Sequence, residues 1–292
     1  MPLPARRRIL GVDFSGGADA GRNIWIAEAH QDLRDRDQPL VIESCQPALS
    51  LPRSGAAPAL AIPALAAHIV RDPTTIAGCD FPFSLPAELM QTPSWEAFIR
   101  AFPARFGDAE AYRATCQRLA EGRELKRRTD KTASTPFCSY NLRLYRQAWW
   151  GMAQLLNPLI ASDQAIVAPQ MTLVSGKPVL IEICPASSLQ YLRCRPAYKG
   201  RAASHREARQ MILATLVDRG FLAAPKPALR ELLLDNSGGD ALDAVIATVA
   251  AAQANLGTET DALDRLEGLV YFELRQTGRA KFRRGINRAR QL

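Results

Sequence analysis

The stretch GGDALDAVIATVAAAQAN, residues 238–255, constrains this chain more than any other. It reads as a helix, small and apolar on nearly every face. A helix that is apolar all round has to be buried, so the rest of the fold must wrap it. Two aspartates, Asp240 and Asp243, open the helix, and at a spacing of three they share a face. Ser237-Gly238-Gly239-Asp240 has the look of a capping box, which gives Asp240 an alternative role as a helix cap. Asp243 lies one turn further in, with Ile246, Ala247 and Ala250 after it on the same face. The helix N-terminus partly stabilises its charge there.

Three more acids lie in or against apolar runs: Asp13 in ILGVDFSGG, Asp80 in IAGCDFPFS and Glu182 in VLIEICPAS. A carboxylate in such a run loses solvation and needs a partner or a cation. None of these runs supplies a Lys or Arg neighbour. The economical expectation is that the five acids meet in space around something positive. Carboxylates are the hard oxygen donors that Mg²⁺ and Mn²⁺ prefer. Two such ions about 3.5–4 Å apart can activate water and stabilise the leaving oxygen in phosphodiester cleavage. Each acid also has a purely structural alternative. Asp13 and Asp80 can be turn residues that bond the following backbone N–H groups, and Glu182 can face solvent from an edge strand. Alternation puts Leu180, Glu182 and Cys184 on one face of their strand.

The remaining pattern supplies a scaffold. Strands are expected at 8–14, 23–30 and 40–45, a helix at 62–72, and a buried strand at 75–83 stopped by Pro82 and Pro86. Residues 84–160 are mostly helical in pattern. TLVSGKPVLIEIC, at 172–184, reads as a hairpin turning at Ser175-Gly176-Lys177. Helices follow at 204–220 and in KPALRELLLD, and 267–274 is a last strand-like run. A three-strand antiparallel meander, a helix, a parallel-type strand and a late buried helix make an α/β chain with the layout of the ribonuclease H-like fold. The expectation is one such domain over 1–292, with a helical insertion at about 84–160 and a basic tail at about 275–292.

Charge and composition narrow the partners. The net charge is +8, and Arg275, Arg279, Lys281, Arg283, Arg284, Arg288 and Arg290 follow Glu273 with no acid among them. Basic clusters attract polyanions, although a solvated tail is the plainer alternative. Arg127, Arg128, Lys131, Arg143 and Arg146 form a second set, read either as phosphate clamps or as ion-paired helix surface. Trp149 and Trp150 are spaced for core packing rather than base stacking. None of the six cysteines forms CxxC, and the three histidines fit no ligand or triad pattern. The chain therefore reads as a reduced, cytoplasmic protein, with no membrane span and no signal peptide.

These motifs carry a resemblance. GVDFSGGADAGRNIWIA, CDFPFSLP, RRTD followed by TPF, LRLYRQAWWGM, IEICPASSL, GGDALDAVIATVAA and EGLVYF together resemble a family of uncharacterised prokaryotic proteins described as predicted ribonuclease H-like nucleases. The paired acids of GDALDA are similar to the late-helix motif of RuvC-type Holliday-junction resolvases. The resemblance implies metal-ligand roles for Asp13, Asp80 and Asp243, leaving Asp240 and Glu182 open. The expected function is a nuclease or phosphodiesterase using Mg²⁺ or Mn²⁺ on DNA or RNA. Two alternatives stand beside it: a nucleotide-dependent phosphotransferase of the actin and sugar-kinase type, for which GVDFSGG would be a phosphate loop, and a non-catalytic nucleic-acid-binding protein.

Overall fold

In the computed structural model, which describes residues 6–275, strands β1 (Arg6–Asp13), β2 (Trp25–Asp32) and β3 (Ile42–Pro47) form an antiparallel meander. Helix α1 (Ala20–Asn23) lies between β1 and β2, and α2 (Pro58–Val70) follows β3. Strand β4 (Ile76–Asp80) then pairs parallel to β1. Helices α3 (Ala87–Met90), α4 (Trp95–Phe106), α5 (Ala109–Leu119) and α6 (Arg128–Thr132) come next. After them α7 (Tyr145–Trp150), a π-wound turn at Gly151–Leu156 and α8 (Asn157–Ala161) run end to end. Strand β5 (Ile166–Ala168) precedes β6 (Val179–Ile183). Helices α9 (Pro185–Tyr191), α10 (Ala203–Asp218), α11 (Pro227–Asp235), α12 (Asp240–Gln253) and α13 (Ala262–Glu267) lead to β7 (Val270–Tyr271).

The result is a mixed seven-stranded sheet in the order β3-β2-β1-β4-β6-β5, with β7 also on β6. β1 is aliphatic along both faces because both are covered, as central strands of layered α/β sheets require. Leu10, Val12, Ala77, Cys79 and Leu180 face a layer holding α2, α4, α5 and the α7–α8 run. Ile9, Ile76, Ile181 and Ile183 face the other layer, which contains α9 to α12. Local signals set the helix ends. Ser94 caps α4 by accepting from the Ala97 N–H (3.2 Å), and Asp108 caps α5 by accepting from the Ala111 N–H (2.7 Å). Residues 241–252 of α12 are all buried, as an all-round apolar helix demands.

The hairpin expected at 172–184 is not present. Residues 172–178 form no strand and are mostly exposed, and β6 instead pairs parallel to β4, β5 and β7. Ser-Gly-Lys does make a turn, but the first arm is the short strand β5 further upstream, too brief to show a period. The basic tail lies outside the described residues apart from Arg275. All six cysteines are free. Among the described residues, no helix is long and apolar enough to cross a membrane.

Candidate functional site: an acid cluster with a lysine

β1 and β4 are in register, with Gly11 opposite Gly78 and Asp13 opposite Asp80. Residues two apart share a face, so both glycines and both aspartates look toward α12. A side chain at position 11 would collide with the backbone of Ala244 and Thr248. A Cβ at position 78 would come within 2.9 Å of Ala251 Cβ and 3.1 Å of the Ala247 carbonyl. The paired glycines let α12 lie directly on the sheet. Its first turn, carrying Asp240 and Asp243, then falls over Asp13 and Asp80, where the four carboxylates act on one another electrostatically.

Burial and crowding show in the proton affinities. Asp13 is buried, and its pKa is raised well above the carboxylate range, first by burial and then by Asp243 and Asp80. Asp80 is pushed up to about 8, again by burial first and Asp243 second. Asp240 is raised by burial, with Asp243 adding to the effect and Lys199 opposing it. It is the first residue of α12, and the cap position is Gly239, in the left-handed region at φ 80°. Asn236 Oδ1 takes the Ala241 N–H at 3.2 Å. The capping role offered for Asp240 is thus filled by another residue.

The cation of the cluster is Lys199, which the sequence gave no reason to select. Its Nζ lies 2.7 Å from Asp243 Oδ2, while the Tyr198 hydroxyl donates to Asp243 Oδ1 at 2.6 Å. Burial works against the Lys199 charge, but Asp243 and Asp13 outweigh it and raise its pKa. The Tyr198 phenol is raised too, by burial and by Asp243. Three contacts build this loop against α12. Arg209 donates to the carbonyls of Tyr198 (2.6 Å), Gly200 (3.1 Å) and Leu234 (2.8 Å). The Gly200 N–H donates to the Ser237 carbonyl at 2.7 Å. Gly239 packs against Tyr198 and Lys199, leaving no room for a larger residue. Tyr-Lys-Gly in an irregular loop has no period, so pattern reading passes over it.

Glu182 is placed elsewhere. It is in register with Cys79, not Asp80, and so sits on the opposite face of the sheet. There it accepts from Arg127 (2.7 Å, Nη1 to Oε2) and from the Phe83 N–H (2.9 Å). Arg127 is 1% exposed and also bonds Asp130 (2.8 Å). Burial alone would lower its pKa, but Asp130 and Glu182 hold it well above the usual value. Arg127 is therefore not a surface phosphate clamp but the centre of a buried ion triad. Arg128 is likewise committed, to Asp261 (2.6 Å) and to Asp264. It lines a cavity of about 330 Å³ with Ala250 and Gln253, at the far end of α12 from the acids. Both corrections have one cause: the neutralising carboxylates are 55 to 136 residues away. Lys131 is exposed, Arg143 is exposed over the Phe137 ring, and Arg146 pairs with Glu110 at 2.8 Å. Trp149 is buried and Trp150 half-buried, edge to face.

The donors fit a divalent cation in chemistry, being oxygen acids whose mutual repulsion a cation relieves, and an ammonium already stands among them. Among the described residues, however, no three His, Cys, Asp or Glu side chains stand close enough to enclose a metal ion as placed.

Fold and site thus define a mixed α/β protein with an acid cluster between two parallel strand ends and a buried helix. The chain belongs to the family of proteins of unknown function DUF429, whose model matches residues 11–266 and so spans the cluster, Tyr198 and Lys199. No curated protein and no solved structure matches it significantly.

Proposed function

We propose that this protein is a metal-dependent phosphodiesterase acting on nucleic acid, built on a ribonuclease H-like core. One observation carries the reading: Asp13 and Asp80 end adjacent parallel strands in register, and a buried helix brings Asp243 to them. The meander followed by parallel strands supports the fold assignment. Asp13, Asp80 and Asp243 would hold the metal, with Asp240 at the rim. A bound Mg²⁺ or Mn²⁺ would supply Lewis acidity toward a phosphoryl oxygen and a more acidic water. The chain's own part is to gather the carboxylates, to hold Asp243 Oδ1 through Tyr198, and to keep a basic group, Lys199, beside the anionic substrate.

The phosphotransferase alternative has less support. Its phosphate loop would be the Gly16-Gly17 turn, but a Cβ on Gly16 would fall 2.6 Å from the Arg146 carbonyl, so helix α7 covers that side. The test is a melting curve with Mn²⁺, paired with cleavage of labelled single- and double-stranded oligonucleotides in Mn²⁺ and in EDTA. Mn²⁺ should raise the Tm of the native chain by several degrees and leave Asp13→Asn unmoved. A native chain indifferent to Mn²⁺ in both assays would sink the reading.

A further inference from the structure

The two oxygens of Asp243 are held differently. Oδ1 takes the Tyr198 hydroxyl, and Oδ2 takes only the Lys199 ammonium among the described residues. Tyr198 is buried, and its backbone is pinned by Arg209. The Lys199 side chain is 54% exposed, whereas that of Asp243 is 3% exposed. The main chain at 198–200 is thus fixed, while the lysine head is free to turn away through solvent without disturbing the core. Lysine carries its charge on four flexible carbons, as such a movement requires.

We infer that Lys199 is an exchangeable counter-ion: it occupies Asp243 Oδ2 in the metal-free protein, yields that oxygen to a divalent cation, and then turns to the phosphate of the substrate. The inference rests on the proposed metal centre and adds an order of events to it. Without metal, the lysine offsets the crowded carboxylates and its charge is spent on Asp243. With metal, two cations cannot share one carboxylate oxygen, so the ammonium is released beside the opening through which an anion enters. Metal binding would therefore create the anion site, and by linkage the anion would tighten metal binding.

Calorimetry on the full chain tests this with Mn²⁺ alone and then with inorganic phosphate. Lys199→Met should bind Mn²⁺ about tenfold more tightly than the native chain, the ratio that ~1.4 kcal/mol of lost competition gives. Lys199→Arg should bind it no more tightly than the native chain. With Mn²⁺ saturating, phosphate should bind Lys199→Met about tenfold more weakly than native protein. A measurement on the unmutated chain guards against misfolded variants: acetylation of Lys199 by an amine-reactive ester, read by peptide mass, should rise several-fold when Mn²⁺ is added. Equal Mn²⁺ affinity in Lys199→Met and native protein, or unchanged acetylation while Mn²⁺ binds, overturns the exchange and leaves the metal centre standing. Equal phosphate affinity overturns the turn toward substrate. No Mn²⁺ binding to the native chain removes the metal centre and the exchange together.

Discussion

At the scale of single residues, the acids of this site are not ordinary surface carboxylates. With its pKa near 8, Asp80 keeps a proton in the folded, metal-free protein where the unfolded chain has lost it. A group whose folded pKa is raised contributes stability that is fully present below its unfolded pKa, about 4, and is lost as pH rises through the folded value. Metal-free protein in EDTA should therefore lose stability between pH 4 and 8. Asp80→Asn should flatten that slope and raise the Tm at pH 8 by about 2–4 °C, the shift expected for ~1 kcal/mol in a protein of this size. A pH profile of melting that is identical in the variant would contradict the placement of Asp80 in the cluster. Asp13, Asp80 and Asp243 were legible from sequence because an acid in an apolar run is costly wherever the chain puts it. Lys199 was not, because an exposed-looking lysine in a loop costs nothing until its partner is known.

At the scale of elements, two devices hold the site, one on each face of the sheet. Below it, the Arg127 triad ties Glu182 of β6 to Asp130 and to the turn after β4. Removing one member of a buried ion set leaves the others uncompensated, at about 3–5 kcal/mol. Arg127→Leu should therefore lower stability by roughly that amount in denaturant titration, at pH 7 and with or without metal. Glu182 read as a possible site acid because alternation fixes which residues share a face but not which face meets the cluster. Only the pairing of Glu182 with Cys79 decides that, and strand register between distant segments is not written in local sequence. The same limit explains the missing hairpin. A glycine turn after an apolar run looks identical whether the next strand returns antiparallel or crosses over to a parallel neighbour.

At the scale of the whole molecule, the meander, the helical stretch after β4 and the burial of α12 follow from periodicity, because long patterned elements have few ways to hide their apolar faces. The strand order beyond β4 and the arrival of residues 196–200 at the cluster do not, because they depend on contacts between remote loops. The register pair Gly11 and Gly78 then decides more than its size suggests. Two hydrogen atoms set the clearance between α12 and the sheet, and so the height at which Asp243 hangs over Asp13 and Asp80. Gly78→Ala should cost about 1–3 kcal/mol by overpacking, and it should weaken the Mn²⁺ effect on melting far more than that loss alone explains. An unaltered Mn²⁺ response would mean that the helix has room to give. A chain of this kind can therefore fall silent with every carboxylate still in place. Among relatives that keep all four aspartates, the residues opposite one another in the middle of β1 and β4 are the ones that tell a working copy from a relic.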